Sequence, residues 1–263
     1  MPSLLEDATT LRGDGDRTFI VVPDLWQQGR GAFGGIAIAA LARVLQRSEA
    51  HSGRTLRTFT ADLCGPVMPG EAELRVEVLR RGKNLSNVEA RLLQSGEVVA
   101  RASGSLSTAR AVDVPRRQPP APELPDWRSV PVVPVGPPFA PVFAQHFEYR
   151  LTGPMPFSGG KDAIAEGWIR ERVPPSRYDV PLLIGMLDAW WPSLFSVLSR
   201  PIRVATTTFT AEVLCDPSTL PGEEPLLYRA HVPAVHDGFM LEFRELWSGG
   251  TLLAANQQTM VLI

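Results

Sequence analysis

A tetrapeptide that occurs twice constrains this chain more than any other feature. Thr58-Phe59-Thr60-Ala61, followed by Asp62-Leu63-Cys64, returns about 150 residues later as Thr208-Phe209-Thr210-Ala211, followed by Glu212-Val213-Leu214-Cys215. Ser95-Gly96-Glu97-Val98-Val99-Ala100 likewise returns as Ser248-Gly249-Gly250-Thr251-Leu252-Leu253-Ala254. Repetition at a fixed period means one structural unit built twice. Each copy reads as strand, apolar helix and four antiparallel strands. In the first copy, Arg17–Pro23 is a strand and Ile36–Gln46 a helix rich in Ala, Ile and Leu. Strands Thr55–Cys64, Ala72–Arg81, Leu85–Gln94 and Val98–Ser107 follow, turned at Gly82-Lys83-Asn84 and Ser95-Gly96-Glu97. The second copy offers strands near Gln145–Leu151 and Ala163–Arg172, a long helix, then strands near Ala205–Cys215, Leu226–Val232, Phe239–Trp247 and Leu252–Leu262. Ten prolines between Pro115 and Pro141 make the join a semi-extended connector. The expected units are residues 1–112, a connector at 113–143, and 144–263. Each is an α+β unit with a sheet wrapped around one helix, and two such units cover each other's exposed edges.

The helix of the second copy is expected over Val180–Leu198, VPLLIGMLDAWWPSLFSVL, apolar on nearly every side and therefore buried. Asp188 is the only polar side chain in its first thirteen residues, and its i±3 and i±4 neighbours are Ile184, Gly185, Trp191 and Pro192. With no cation on its own helix, the carboxylate must find donors elsewhere, have its pKa raised, or both. The bland reading is a helix-end carboxylate held by a backbone N–H or a distant Arg.

The rest of the composition excludes several classes. At 263 residues, 44% hydrophobic and with formal charge −2, the chain has no basic excess for nucleic acid and no acidic tail. The start has no basic and apolar leader pattern, the longest apolar run falls short of a membrane span, and Cys64 and Cys215 form no metal motif. A cytoplasmic protein without metal or cofactor is expected.

Several segments, in order, resemble the bacterial acyl-CoA thioesterase II family and its thioesterase-like relatives. They are Ala32-Phe-Gly-Gly-Ile, Phe147-Glu-Tyr-Arg, Trp168-Ile-Arg, Leu183-Ile-Gly-Met-Leu-Asp188, Ile202-Arg-Val-Ala-Thr206 and Leu253-Ala-Ala-Asn-Gln-Gln258. The resemblance implies a tandem (double) hotdog, each half an antiparallel sheet around one long central helix. It also implies hydrolysis of acyl-CoA or related thioesters by a water that an Asp, a Thr and a Gln activate. Position by position these are Asp188, Thr206 and Gln258. Where the family often follows the Thr with Asp-His, this chain has Thr208-Phe209, and the run Thr206-Thr207-Thr208 leaves Thr206 and Thr208 as alternatives on one strand face.

The chemistry suits the residues. A thioester needs a positioned water, a proton acceptor and oxyanion donors. Burial would make Asp188 the base; Thr206 and Gln258 would hold the water and supply the carboxylate's missing donors. Gly34 and Gly35, opening the first helix, would offer N–H groups to the oxyanion, so that Gly35→Val would lower turnover more than stability. Phe33, Met186, Trp190 and Trp191 are candidate walls for the acyl chain. Arg81 and Lys83, in the densest basic cluster, are candidate phosphate contacts for CoA. One complete site per chain is expected, lying between the repeats, in a homodimer of the double unit. Two competing readings are weaker: a hotdog dehydratase would need a His near the central helix, and a non-catalytic protein would bind acyl-thioesters or another apolar ligand.

Overall fold

The computed structural model describes residues 4–13, 17–115 and 117–263; residues 1–3 and 14–16 and Arg116 of the connector lie outside them. The first half comprises α1 (Leu4–Ala8), β1 (Thr18–Val22), β2 (Gln27–Gln28), β3 (Gly31–Ala32), α2 (Gly34–Ser48), β4 (Thr55–Leu63), β5 (Gly70–Arg81), β6 (Leu85–Gln94) and β7 (Glu97–Ser107). The second comprises β8 (Phe147–Leu151), β9 (Ile164–Glu171), α3 (Val180–Leu187), β10 (Val204–Val213), β11 (Leu226–His236), β12 (Phe239–Ser248) and β13 (Thr251–Leu262). Eleven strands form one antiparallel sheet in the order β1-β5-β6-β7-β4-β10-β13-β12-β11-β9-β8.

The join between the halves is the repeat itself. β4 pairs with β10 so that Thr60 faces Thr210, while Phe59 faces Ala211 and Ala61 faces Phe209. Two identical strands pairing antiparallel about their own midpoint generate a local two-fold, as two subunits of a dimer would. The helices mark the same axis. Gly35 of α2 and Gly185 of α3 meet: a Cβ on Gly185 would lie 3.2 Å from Gly35 O, and one on Gly35 would lie 2.9 Å from Gly185 O. Ala37, Ala39, Ala40 and Ala42 keep α2 slim, so it packs against β4–β7 and α3 together. This arrangement fits the double hotdog.

The two central helices are unequal. α2 runs fifteen residues, whereas the expected helix over Val180–Leu198 stops at Leu187. Pro192 is the reason: it has no N–H for the carbonyl of Asp188, four residues back, and its ring collides with that carbonyl. Asp179 caps the start, its Oδ1 accepting the Leu182 N–H at 2.8 Å. At the other end, Leu187 O accepts Arg244 Nη1 at 3.0 Å and the Tyr228 hydroxyl at 3.5 Å, and Ala189 O accepts the Tyr149 hydroxyl at 2.8 Å. Side chains from the sheet thus satisfy carbonyls that the broken helix leaves open. A short 3-10 turn, Ser193–Ser196, follows.

The Pro-rich connector is a strap rather than a free tether. Gln118 donates to Gly250 O at 2.6 Å, the Trp168 indole donates to Pro125 O at 3.1 Å, and Ala121 and Leu124 pack on Leu227, Trp247 and Leu252. It covers one outer patch of the second half, where these large side chains point away from the helix.

Candidate functional site

β12 carries MLEFREL, in which Leu241 and Phe243 look like the core face. The structure has it the other way round: Met240, Glu242, Arg244 and Leu246 are buried, and Leu241 and Phe243 are half-buried on the outer side. Glu242 and Arg244 therefore lie beneath the helices with essentially no exposure. A buried charge needs partners, and these have them. Arg244 Nε and Nη2 both donate to Glu242 Oε2, at 3.0 and 2.8 Å. Glu242 Oε1 accepts the backbone N–H of Ser193 at 2.6 Å and its hydroxyl at 2.7 Å.

This pair holds the residues that the sequence singles out. Arg244 Nη1 lies 3.4 Å from Asp188 Oδ1. On β13, directly opposite Glu242, Gln258 donates its Nε2 to Glu242 Oε2 at 3.2 Å. Thr206 donates its hydroxyl to Gln258 Oε1 at 3.4 Å. The order of contact is Thr206, Gln258, Glu242, Arg244, Asp188. The expectation that Thr206 and Gln258 would supply the carboxylate's donors is thus corrected: its cation comes from β12. A bulge at Thr207 puts Thr206 on the inner side and leaves Thr208 exposed, which separates the two alternatives.

Asp188 sits where α3 ends and α2 begins. The Gly35 N–H faces it, and a Cβ on Gly34 would lie 2.7 Å from Oδ2. Burial pushes its pKa up from 3.8 to about 6; Arg244 and the Gly35 N–H pull down, and Glu242 adds to the rise. Gly34 and Gly35 thus stand at the site, but the Gly35 N–H already faces the carboxylate. Gly35 is also the helix crossing point, with the Phe33 ring and Gly185 O against it. Gly35→Val therefore tests packing first, contrary to the sequence expectation. Gly34 is the cleaner probe. Gly34→Ala favours the helix intrinsically but pushes on the carboxylate, so kcat is expected to fall by about tenfold to a hundredfold with the melting temperature nearly unchanged. Steady-state kinetics beside a thermal melt check this.

The other candidates divide. Phe33 is stacked on Phe143 at 4.3 Å and Trp190 on Tyr228 at 4.8 Å, and both are buried, as is Met186; these are core. Trp191 is partly exposed beside Tyr149 and Trp190, so it alone of the aromatics reaches toward solvent near Asp188. Arg81 binds Glu49 through Nε and Nη2 at 2.9 and 2.7 Å. Glu49 is the C-cap of α2, about 20 Å from Gly34 by helical rise. Arg81 and Lys83 are therefore not brought to the other candidates. A cavity of about 500 Å³ lined by Arg43, Arg47, Asp179 and Val180 also lies toward that far end. Of the histidines, His51 and His146 are in 3-10 turns, and His231 and His236 on β11. Among the described residues, no group of three His, Cys, Asp or Glu stands ready for a metal ion, and no helix is long and apolar enough to cross a membrane.

The first half supplies an internal control. Gly35 and Thr60 match Gly185 and Thr210, 150 residues on, while the β6–β7 and β12–β13 ladders match at 154. On that register Asp188, Thr206, Glu242, Arg244 and Gln258 take the places of Ile38, Leu56, Val88, Ala90 and Gly104. The first four of these counterparts are buried and apolar, and a Cβ on Gly104 would collide with Leu56. One copy has a plain hydrophobic core where the other has five polar side chains.

Comparison with known proteins agrees with this architecture. Residues 22–107 match the profile of the acyl-CoA thioesterase N-terminal domain, and residues 115–262 that of the acyl-CoA thioesterase C-terminal domain. A conserved hot dog fold protein of unknown function from Alicyclobacillus acidocaldarius superposes with a TM-score of 0.89 at 25% identity, covering 100% of this chain and 99% of that one. A putative thioesterase II from Thermobifida fusca gives 0.83 at 21%, covering 100% and 98%. The acyl-CoA thioesterase II TesB2 from Mycobacterium marinum gives 0.76 at 19%, covering 98% of each. No curated protein matches the chain. Both halves fall to one family's two domains, and the chain belongs to the acyl-CoA thioesterase family of thioester hydrolases.

Proposed function

We propose that this protein hydrolyses acyl-CoA thioesters at a single site per chain, at the junction of α2 and α3, with Asp188 as general base. The carrying observation is the asymmetry of the two copies. Keeping five polar groups in a core that the same chain builds from Ile, Leu, Val, Ala and Gly elsewhere costs stability. That cost is understandable where the groups perform chemistry.

In the proposed reaction a water lies among Asp188, Thr206 and Gln258. It gives a proton to the Asp188 carboxylate as its oxygen attacks the thioester carbonyl. The tetrahedral oxyanion forms as Asp188 takes the proton, and the positive end of α2 favours the negative charge there. Collapse of this intermediate breaks the C–S bond, and the thiolate takes the proton held by Asp188, leaving as CoA and restoring the carboxylate. Because the pKa of Asp188 is raised, the carboxylate accepts a proton more readily than a solvated Asp would, yet is mostly ionised at pH 7.

This predicts an acid limb. The base must be unprotonated, so kcat/KM should fall tenfold per pH unit below about 6 and level off above it. Thiol release from acetyl-, octanoyl- and palmitoyl-CoA across pH 5 to 8 is the test. Absence of release from all three, or a limb centred near 4, would remove Asp188 from the role. The homodimer belongs to the same proposal. Its sheet edges are already partly engaged, by the Arg12–Phe19 bridge on β1 and the Val133–Tyr149 bridge on β8. Association is therefore more readily pictured through faces than through strand pairing.

A further inference from the structure

In the reaction as written, neither Glu242 nor Arg244 touches the water or the thioester. A salt bridge at the bottom of a core could be mere packing, but the pair's connections are more specific than that. We propose that Glu242 and Arg244 are positioning residues: Glu242 sets the orientation of the Gln258 amide, and Arg244 fixes the helix end that carries Asp188. The proposal rests on the reading of Asp188, Thr206 and Gln258 given above.

The argument for Glu242 concerns which atoms can face which. An ionised carboxylate only accepts hydrogen bonds. Its Oε2 takes two from Arg244 and one from Gln258 Nε2, and its Oε1 takes two from Ser193. The amide of Gln258 must therefore turn its NH2 toward Glu242. Its carbonyl oxygen is left toward Thr206, the hydroxyl of which donates to it. Toward the water, then, Gln258 presents an acceptor. Two acceptors, Asp188 and Gln258 Oε1, would take the water's two protons and aim an oxygen lone pair at the carbonyl carbon. With the amide reversed, Gln258 would hold the water through that lone pair and spoil the attack.

Arg244 acts on the other arm. Its Nη1 spans Leu187 O, the last carbonyl of α3, and Asp188 Oδ1. It fixes the helix terminus and the carboxylate together. The groups facing Asp188 are Arg244 and Glu242 on β12, the Tyr228 hydroxyl on β11, and the Gly35 N–H on α2. Burial raises the Tyr228 pKa well above 10, so only Asp188 itself and the ion pair carry charge there near neutral pH.

The test uses the full chain and the best substrate among acetyl-, octanoyl- and palmitoyl-CoA. Glu242→Gln keeps the shape but lets either amide reverse. KM should stay within about twofold while kcat falls by about ten- to a hundredfold. Removing the negative charge should also move the acid limb to lower pH. A second variant, Glu242→Met with Arg244→Met, replaces the pair by apolar side chains of similar length, a change that buried ion pairs often tolerate without loss of fold. It should melt cooperatively yet turn over at least about a hundredfold more slowly. Either variant hydrolysing at the parent rate overturns the proposal, since packing alone would then explain the pair. Asp188→Asn run alongside separates the two levels. If it is inactive while Glu242→Gln is fully active, only the role of the pair falls. If it is active at the parent rate, the base assignment falls and takes the positioning role with it.

Discussion

Asp188→Asn should lose thiol release by about 10²–10⁴-fold and at the same time become the more stable protein at neutral pH. The activity loss follows from removing the group that takes the water's proton; an amide of the same shape cannot. The stability gain follows from linkage. Burial raises the Asp188 pKa from 3.8 in an unfolded chain to about 6 in the folded one, so the native state holds this proton more tightly. Between those values the folded protein binds more protons than the unfolded, and stability falls as pH rises. By pH 7 both states are ionised at this position and the cost is fully present, on the order of 1–3 kcal/mol for a shift of this size. The asparagine has no such titration. Denaturant melts of both proteins should therefore diverge from pH 4 to 6, with a constant gap above. Arg244 does not become an orphan, because Glu242 still takes two of its hydrogen bonds. An asparagine variant that is less stable at every pH would mean that the carboxylate is a structural ion-pair partner.

The repeat is the part of the fold that a reader of the sequence can see, and the reason is geometric. Thr58–Ala61 and Thr208–Ala211 face each other across the pseudo-two-fold, so both copies meet the same neighbours and keep the same residues. The length of the second helix is harder to see. An apolar run looks helical throughout, and only Pro192 shows that it must stop at Asp188. Glu242 and Arg244 are hidden by a register effect. The first copy has the same Glu-x-Arg at Glu89 and Arg91, where the pair points outward and bonds to itself at 3.0 Å. In sequence the motifs are 153 residues apart, whereas the ladders match at 154. One residue of difference turns every side chain of a strand to the opposite face. The offset changes earlier, by an insertion in the connection from β10 to β11, which is longer than that from β4 to β5; β5–β6 and β11–β12 already match at 154. Followed along β12, that insertion places an acid and a base inside.

Gly35→Val and Gly185→Val should each destabilise the protein by about 3 kcal/mol or more, with Gly35→Val the more damaging because its side chain also meets the Phe33 ring. The two glycines are one contact seen from two sides. A side chain on Gly35 strikes the Phe33 ring and Gly185 O; one on Gly185 strikes Gly35 O, Ala39 and Leu5, all at 3.1–3.2 Å. None of the backbone atoms can step aside without separating α2 from α3, and α2 is held on its other side by the β4–β7 sheet. Either valine forces the same separation, so the double variant should lose clearly less than the sum of the two. Gly65→Ala is the control: nothing lies within 4 Å of its added Cβ, and a change within about 0.5 kcal/mol is expected. In thermal melts the single valines should lower the midpoint by roughly 6–12 °C, given about 2–4 °C per kcal/mol at this chain length. Additive losses would mean that the helices do not share this contact. The site would lose its frame with it, because the α2 end that faces Asp188 is positioned by the same crossing.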